Sequence, residues 1–215
     1  GPNASGKSTL IRIILGLLRC DGELLLDGQA KRQMETADRI AYVPQIAPKF
    51  GASVGEVNTA ITRVRQMSPD AVLSAGKELG IDLGAVERQA FRNLSGGAKQ
   101  KTLISFALAS RASLYVLDEP TASLDTQSRG DLFRLLGERT GDATMVLCSH
   151  RLEEIRTLVD RVMVLDEGRL SYFGPTEDYL DRMTLSTIDV QLANGAASDA
   201  ISSMGFQPGV AGWWS

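Results

Sequence analysis

The stretch "GPNASGKST", residues 1–9, decides the fold. It matches the pattern G-x-x-x-x-G-K-[ST] at every position, from Gly1 through Pro2, Asn3, Ala4, Ser5 and Gly6 to Lys7, Ser8 and Thr9. Phosphate oxygens are met by consecutive backbone N–H groups, so such a loop must curl tightly, and glycine permits that curl. The apolar run that follows, "LIRIILGLL" at 10–18, reads as a helix whose N-terminus favours anions. Lys7 then supplies a point charge to the outer phosphates, and Ser8, with Thr9 beside it, offers a hydroxyl to Mg²⁺. This predicts an α/β chain of the P-loop type that binds a nucleoside triphosphate. By itself the motif does not separate kinases, GTPases and motors.

The bulk numbers narrow the class. The chain has 215 residues, 43% of them hydrophobic, which is enough for a real core. A net charge of -3 without a long charge run does not support a nucleic-acid footprint. Cys20 and Cys148 lack metal-like spacing and fit a reduced, cytoplasmic setting. The stretch at 10–18 is interrupted by Arg12 and is too short to span a bilayer. Because motif already begins at Gly1, the expectation is that this sequence is a piece of a longer chain.

Further along, residues 8–18 read as a helix buried between layers, 23–29 as a short strand with a turn, and 39–45 as a strand stopped by Pro44. Residues from 47 to about 112 hold several helix-length segments and no convincing strand, which predicts a helical insertion. Then come a strand at 114–119, an amphipathic helix at 126–139, a second buried strand at 144–150 and a helix at 151–159. A hairpin at 161–174 should turn at Glu167-Gly168. Buried strands alternating with helices imply a mostly parallel sheet flanked by helices. We expect one main domain over 1–175. Residues 176–215 should form an extension whose part at 186–206 reads strand, turn, helix, the opening of a small α+β unit.

Strand ends carry the remaining chemistry. Asp118 and Glu119 close "LYVLDE" at 114–119. In sheets of this kind ligands sit at the carboxyl ends of strands. Phosphoryl transfer needs one group for the metal, here Asp118, and another to orient the attacking water, here Glu119. His150 is the single histidine and also follows a strand, where it is placed to contact the γ-phosphate or the water. Gln45, at the end of "AYVPQ", is a further candidate for the metal or water.

Taken in order, Gly1–Thr9, "VPQ" 43–45, "LSGG" 94–97, "LYVLDEP" 114–120, "SLD" 123–125 and "SH" 149–150 resemble the ATP-binding subunit of ABC transporters over roughly residues 1 to 175. The resemblance implies ATP and Mg²⁺ as ligands. It makes Lys7 and Ser8 the Walker A pair, Gln45 the Q-loop glutamine and Asp118 the Walker B aspartate. Glu119 becomes the catalytic glutamate, Asp125 the D-loop aspartate and His150 the switch histidine. It also gives a role to the glycine pair in "LSGG": Ser95, Gly96 and Gly97 would cap a helix that approaches the γ-phosphate held by a second copy of the domain. The family's upstream aromatic that stacks on adenine has no counterpart in this sequence, and Ala98 stands where many members have glutamine.

The partners implied are a second ATP-binding subunit, as homodimer or heterodimer, and transmembrane permease subunits on separate chains. The protein would then sit peripherally on the inner face of the cell membrane. Ala98 and the short insertion resemble exporter-type subunits. Three alternatives stay open from sequence. They are a non-transport ABC ATPase acting on ribosomes or nucleic-acid complexes, a soluble P-loop kinase with no use for "LSGG", and a regulatory nucleotide-binding module.

Overall fold

The structure, a computed structural model, describes residues 5–26, 28–30, 38–185, 190–191 and 213–214. The chain divides into two compact units. The first holds residues 1–159 and 164–171; the second holds residues 160–163 and 172–215.

The first unit is built on three parallel strands, β3 (Ile40–Val43), β4 (Leu114–Asp118) and β5 (Thr144–Cys148), with β4 in the middle. The register sets Val43 beside Leu117, and Asp118 beside Cys148. Every residue of β4 is buried because both of its faces are covered. Tyr115 and Leu117 join one core with Ile104 and Leu108 of α4 (Gly96–Ala109) and Leu132, Leu135 and Leu136 of α5 (Thr126–Arg139). Leu114 and Val116 face the other way, against Ile11 of α1 (Lys7–Ile14). The expected parallel α/β architecture is therefore present.

Three expectations need correction. The helix predicted at 8–18 runs only from Lys7 to Ile14, and Ile11 is its one buried residue. It lies on one face of the sheet through Ile11 and Ile14, with Leu15 just past its end, and is not enclosed between layers. Gly16, at φ +74°, ends it: the Gly16 N–H donates to the Ile13 carbonyl, and the Leu17 N–H to that of Arg12. This is the paired closure that a left-handed glycine allows, and it leaves Leu17 and Leu18 exposed. Second, β5 is not fully buried. Among the described residues it pairs with β4 alone, and Thr144 is exposed while Met145–Cys148 are half-buried. The single strand expected at 23–29 is a pair of two-residue strands, β1 (Leu25–Leu26) and β2 (Gln29–Ala30), joined antiparallel.

The segment between β3 and β4 is helical as anticipated. It contains α2 (Val54–Val64), α3 (Pro69–Glu78), a 3₁₀ turn at Phe91–Asn93, and α4. Ser53 and Glu56 cap α2 reciprocally, and Pro69 opens α3. Helix α4 is buried on nearly all sides from Thr102 to Leu108, since it packs against α3, α5 and β3 together. An ion pair between Arg139 and Glu78 ties α5 to α3.

The hairpin forms from β6 (Arg161–Asp166) and β7 (Arg169–Pro175). Its turn falls at Glu167-Gly168, both at positive φ (45° and 77°), as two-residue hairpins require. Within the second unit, the Arg161 guanidinium lies 4.3 Å over the Phe173 ring, and Tyr172 packs on Tyr179 of α7 (Thr176–Leu185) at 5.4 Å. Of the strand, turn and helix expected at 186–206, only β8 (Val190–Gln191) is described, paired antiparallel with β9 (Trp213–Trp214); the rest lies outside the described residues.

Candidate functional site

Parallel pairing in register brings three strand ends to one edge of the sheet. Gln45 follows β3, Asp118 and Glu119 close β4, and Ser149 and His150 follow β5. Glu119 adds one more rung past the strand: its N–H donates to the Cys148 carbonyl at 2.9 Å. Its backbone then turns into the left-handed region, φ +49°, which side chains with a Cβ disfavour. The turn closes where the Ala122 N–H donates to the Glu119 carbonyl at 3.2 Å.

The Glu119 side chain meets His150, with Nδ1 and Oε2 2.8 Å apart. The glutamate is 11% exposed and the histidine 70%, so the ring stays accessible to an arriving ligand. With the glutamate ionised, the bond requires a proton on Nδ1, which leaves Nε2 to accept or, in the imidazolium, to donate.

Cys148, beside Asp118 in the register, reports the local field. Burial, then the Asp118 and Glu119 carboxylates, push its thiol up to about 12, and the Lys7 charge opposes them. Lys7 and both acids therefore all lie within electrostatic reach of the end of β5.

Of the phosphate loop, Gly1–Ala4 lie outside the described residues. Ser5 is buried, and its carbonyl accepts from the Gly168 N–H at 3.1 Å, so the hairpin turn of the same unit braces the loop. Gly6 is the N-cap of α1 at φ +100°, a conformation open to glycine alone. The Lys7 ammonium donates to Ser5 Oγ at 3.3 Å. Ser8 and Thr9 are exposed in the first turn, and Gln45 is exposed just beyond β3.

Ser95 caps α4, its hydroxyl accepting from the Ala98 N–H at 3.2 Å. Ser95 and Gly96 are exposed. Gly97 has a reason inside the chain: a Cβ there would stand 2.9 Å from the Ser123 carbonyl, whereas one on Gly96 would meet Ser123 only at 3.7 Å. The two glycines thus face different constraints. Asp125 caps α5 through the Ser128 N–H at 2.8 Å and Ser128 Oγ at 2.7 Å, and pairs with Lys101 of α4 at 3.7 Å. Those bonds, the Ser128 N–H foremost, hold its carboxyl down at about 2. The structure therefore gives Asp125 a capping role that the motif order did not reveal.

Sequence reasoning also missed Thr121 and Glu154. Both are buried, and Thr121 Oγ1 donates to Glu154 Oε1 at 2.5 Å. They are 33 residues apart and match no motif spacing, so only tertiary contact exposes them.

A phosphate loop on α1, two acids and a histidine at adjoining strand ends, and a glycine-tipped helix in the insertion define a P-loop ATPase of the ABC type. Comparison with known proteins agrees. The ABC transporter family profile matches residues 1–122. The energy-coupling factor transporter ATP-binding protein EcfA2 of Symbiobacterium thermophilum is 33% identical over 222 positions, covering 96% of this chain and 76% of that protein. The molybdenum import ATP-binding protein ModC of Rhizobium etli is 36% identical over 197 residues, 85% of this chain; the chain spans about half (54%) of its length. Among solved structures, a bacterial Atm1-family ABC exporter with ATP bound superposes with a TM-score of 0.75 at 26% identity, covering 97% of this chain and 36% of that one. The chain belongs to the ABC transporter family of ATP-binding subunits, which are ATPases. Among the described residues no helix is long and apolar enough to cross a membrane.

Proposed function

We propose that this chain is the ATP-hydrolysing motor of a transporter whose membrane-spanning parts are separate chains. The observation that carries this reading is the 2.8 Å Glu119–His150 pair at the strand ends, with Asp118 and Lys7 in the same electrostatic field. Glu119 orients and deprotonates the attacking water. His150 holds Glu119 in place and contacts the transferring phosphoryl group, while Lys7 offsets its charge.

The donor set fits Mg²⁺. Asp118 offers a carboxylate at the strand end, and Ser8 and Gln45 add hard oxygen donors. Mg²⁺ commonly keeps several waters and takes other ligands from phosphates, so few protein donors are needed. Asp118, Ser8 and Gln45 would hold the ion; when bound it neutralises phosphate charge.

The exposed Ser95–Gly96 tip of α4 supports assembly in pairs, each copy lending this tip to the ATP held by the other. Loss of the γ-phosphate then removes the group that bridges the pair, which separates and passes the motion to permease subunits. Such a protein works on the inner face of the cell membrane. Export is the direction that Ala98 and the short insertion suggest. Uptake is the reading we favour, because ModC, at 36% identity, is named for import.

The test is the ATPase rate as a function of protein concentration, with and without co-expressed permease subunits. A specific activity that rises steeply with concentration supports shared sites. Full activity in a dilute, strictly monomeric sample overturns them.

A further inference from the structure

We propose that Glu154 is a positioning residue for hydrolysis, holding Glu119 in its reactive conformation through Thr121. Two segments face each other here. Residues 119–121 form the turn after β4, and residues 150–154 lead from β5 into α6 (Leu152–Leu158). They are joined by two bonds, Glu119 to His150 at 2.8 Å and Thr121 to Glu154 at 2.5 Å. Only the first lies among the groups assigned to catalysis.

The second is expensive to maintain. Thr121 is fully buried, and Glu154 is 2% exposed. A carboxylate in that setting is costly unless charge and hydrogen bonds compensate it. Arg151 Nε, 3.6 Å from Glu154 Oε1, supplies partial compensation, but Oε2 makes no hydrogen bond among the described residues. A leucine would fill this place without such cost, so packing does not explain an acid here.

The backbone of the turn explains it. Glu119 occupies a left-handed φ of +49°, which persists only where the surroundings enforce it. The Ala122 and Leu124 N–H groups donate to the Glu119 and Thr121 carbonyls, closing two successive turns. The bond from the Glu119 N–H to the Cys148 carbonyl holds the start of the turn against the end of β5. The Thr121–Glu154 bond holds its far end, because Glu154 lies four residues beyond His150 on the segment that His150 begins. With that second anchor gone, the turn can relax about the first toward an ordinary φ and shift the Glu119 carboxylate relative to Nδ1.

This inference rests on the assignment of the attacking water to Glu119. The experiment is steady-state ATPase kinetics of the full chain in its hydrolysing assembly, with melting temperatures, for T121V, T121S, E154A, E154Q and E119Q. T121V and E154A should lower kcat by roughly 10- to 100-fold, the scale of a small misplacement of a catalytic group. KM for ATP should stay within about twofold, since no nucleotide contact is lost. T121S keeps the donor and E154Q an acceptor, so both should recover most of the rate. The double variant T121V/E154A should be no worse than either single one, as for two halves of one bond. T121V is nearly isosteric and carries the test even if E154A does not fold. Wild-type kcat in T121V, or an equal loss in T121V and T121S, overturns the inference. If E119Q itself turns over normally, the water assignment fails and this inference with it. If E119Q is inactive while T121V is normal, only the role of Glu154 is lost.

Discussion

His150 Nδ1 lies 2.8 Å from Glu119 Oε2, although 31 residues separate them in sequence. The contact exists because β4 and β5 run parallel and in register, so that both chains leave the sheet at the same level. It follows that the single histidine stands at the same edge of the sheet as Asp118 and Glu119.

Replacing Glu119 by glutamine preserves its size and a hydrogen-bonding oxygen but removes the carboxylate proposed as the base. ATPase turnover should fall by about 10²- to 10⁴-fold, the range for loss of a general base. Nucleotide affinity, measured by equilibrium titration, should be unchanged. Turnover near the wild-type rate would remove Glu119 from this role.

The glycines of the α4 tip separate two constraints. Gly97→Ala places a methyl 2.9 Å from the Ser123 carbonyl, and the overpacking should cost about 1–3 kcal/mol in denaturant unfolding. Gly96→Ala meets Ser123 at 3.7 Å and should leave stability within experimental error. Yet Gly96→Ala should still depress ATPase activity strongly, because Gly96 is proposed to face the partner's nucleotide. A fully active Gly96→Ala variant would mean that no partner approaches this tip.

Gly6→Ala should weaken nucleotide binding. At φ +100° an alanine is strained, by about 1–2 kcal/mol on the scale of left-handed conformations. Relief of that strain must move the loop away from Gly168, whose Cα would stand 3.4 Å from the new methyl. A Kd for ATP raised roughly tenfold is the expected result. An unchanged Kd would show that the loop accommodates the methyl.

Asp125 predicts a pH dependence. Its folded-state value, about 2, lies below its ordinary 3.8 because the Ser128 N–H and hydroxyl favour the carboxylate. The stability it supplies is therefore complete above pH 3.8 and is lost as the pH falls towards 2. Asp125→Ala should melt a few degrees lower than the parent near neutrality. The two melting curves should converge as the solution is acidified through that window.

Local chemistry was readable without coordinates wherever it depends on neighbours in the chain. The phosphate-loop pattern announced α1, Ser95 marked a helix start, and Glu167-Gly168 marked the hairpin turn, because each is a requirement of backbone geometry over a few residues. The periodicity at 126–139 coincided with α5, and the insertion was helical as its composition implied. Burial was less legible. The runs at 10–18 and 144–150 are apolar in composition, but how much of each is covered depends on which neighbours lie on its two sides. That is a property of the sheet and not of the run.

What tertiary structure alone decided were the contacts between segments distant in sequence. Gly97 needs to be glycine partly because Ser123 presents its carbonyl there. Asp125 spends its carboxylate on capping α5. Glu154 and Thr121, with no motif to mark them, share a buried bond at the back of the Glu119 turn. Sequence dictates these positions only through the folded chain, because a hydrogen bond or a close approach depends on separation in space, which parallel pairing sets across dozens of residues.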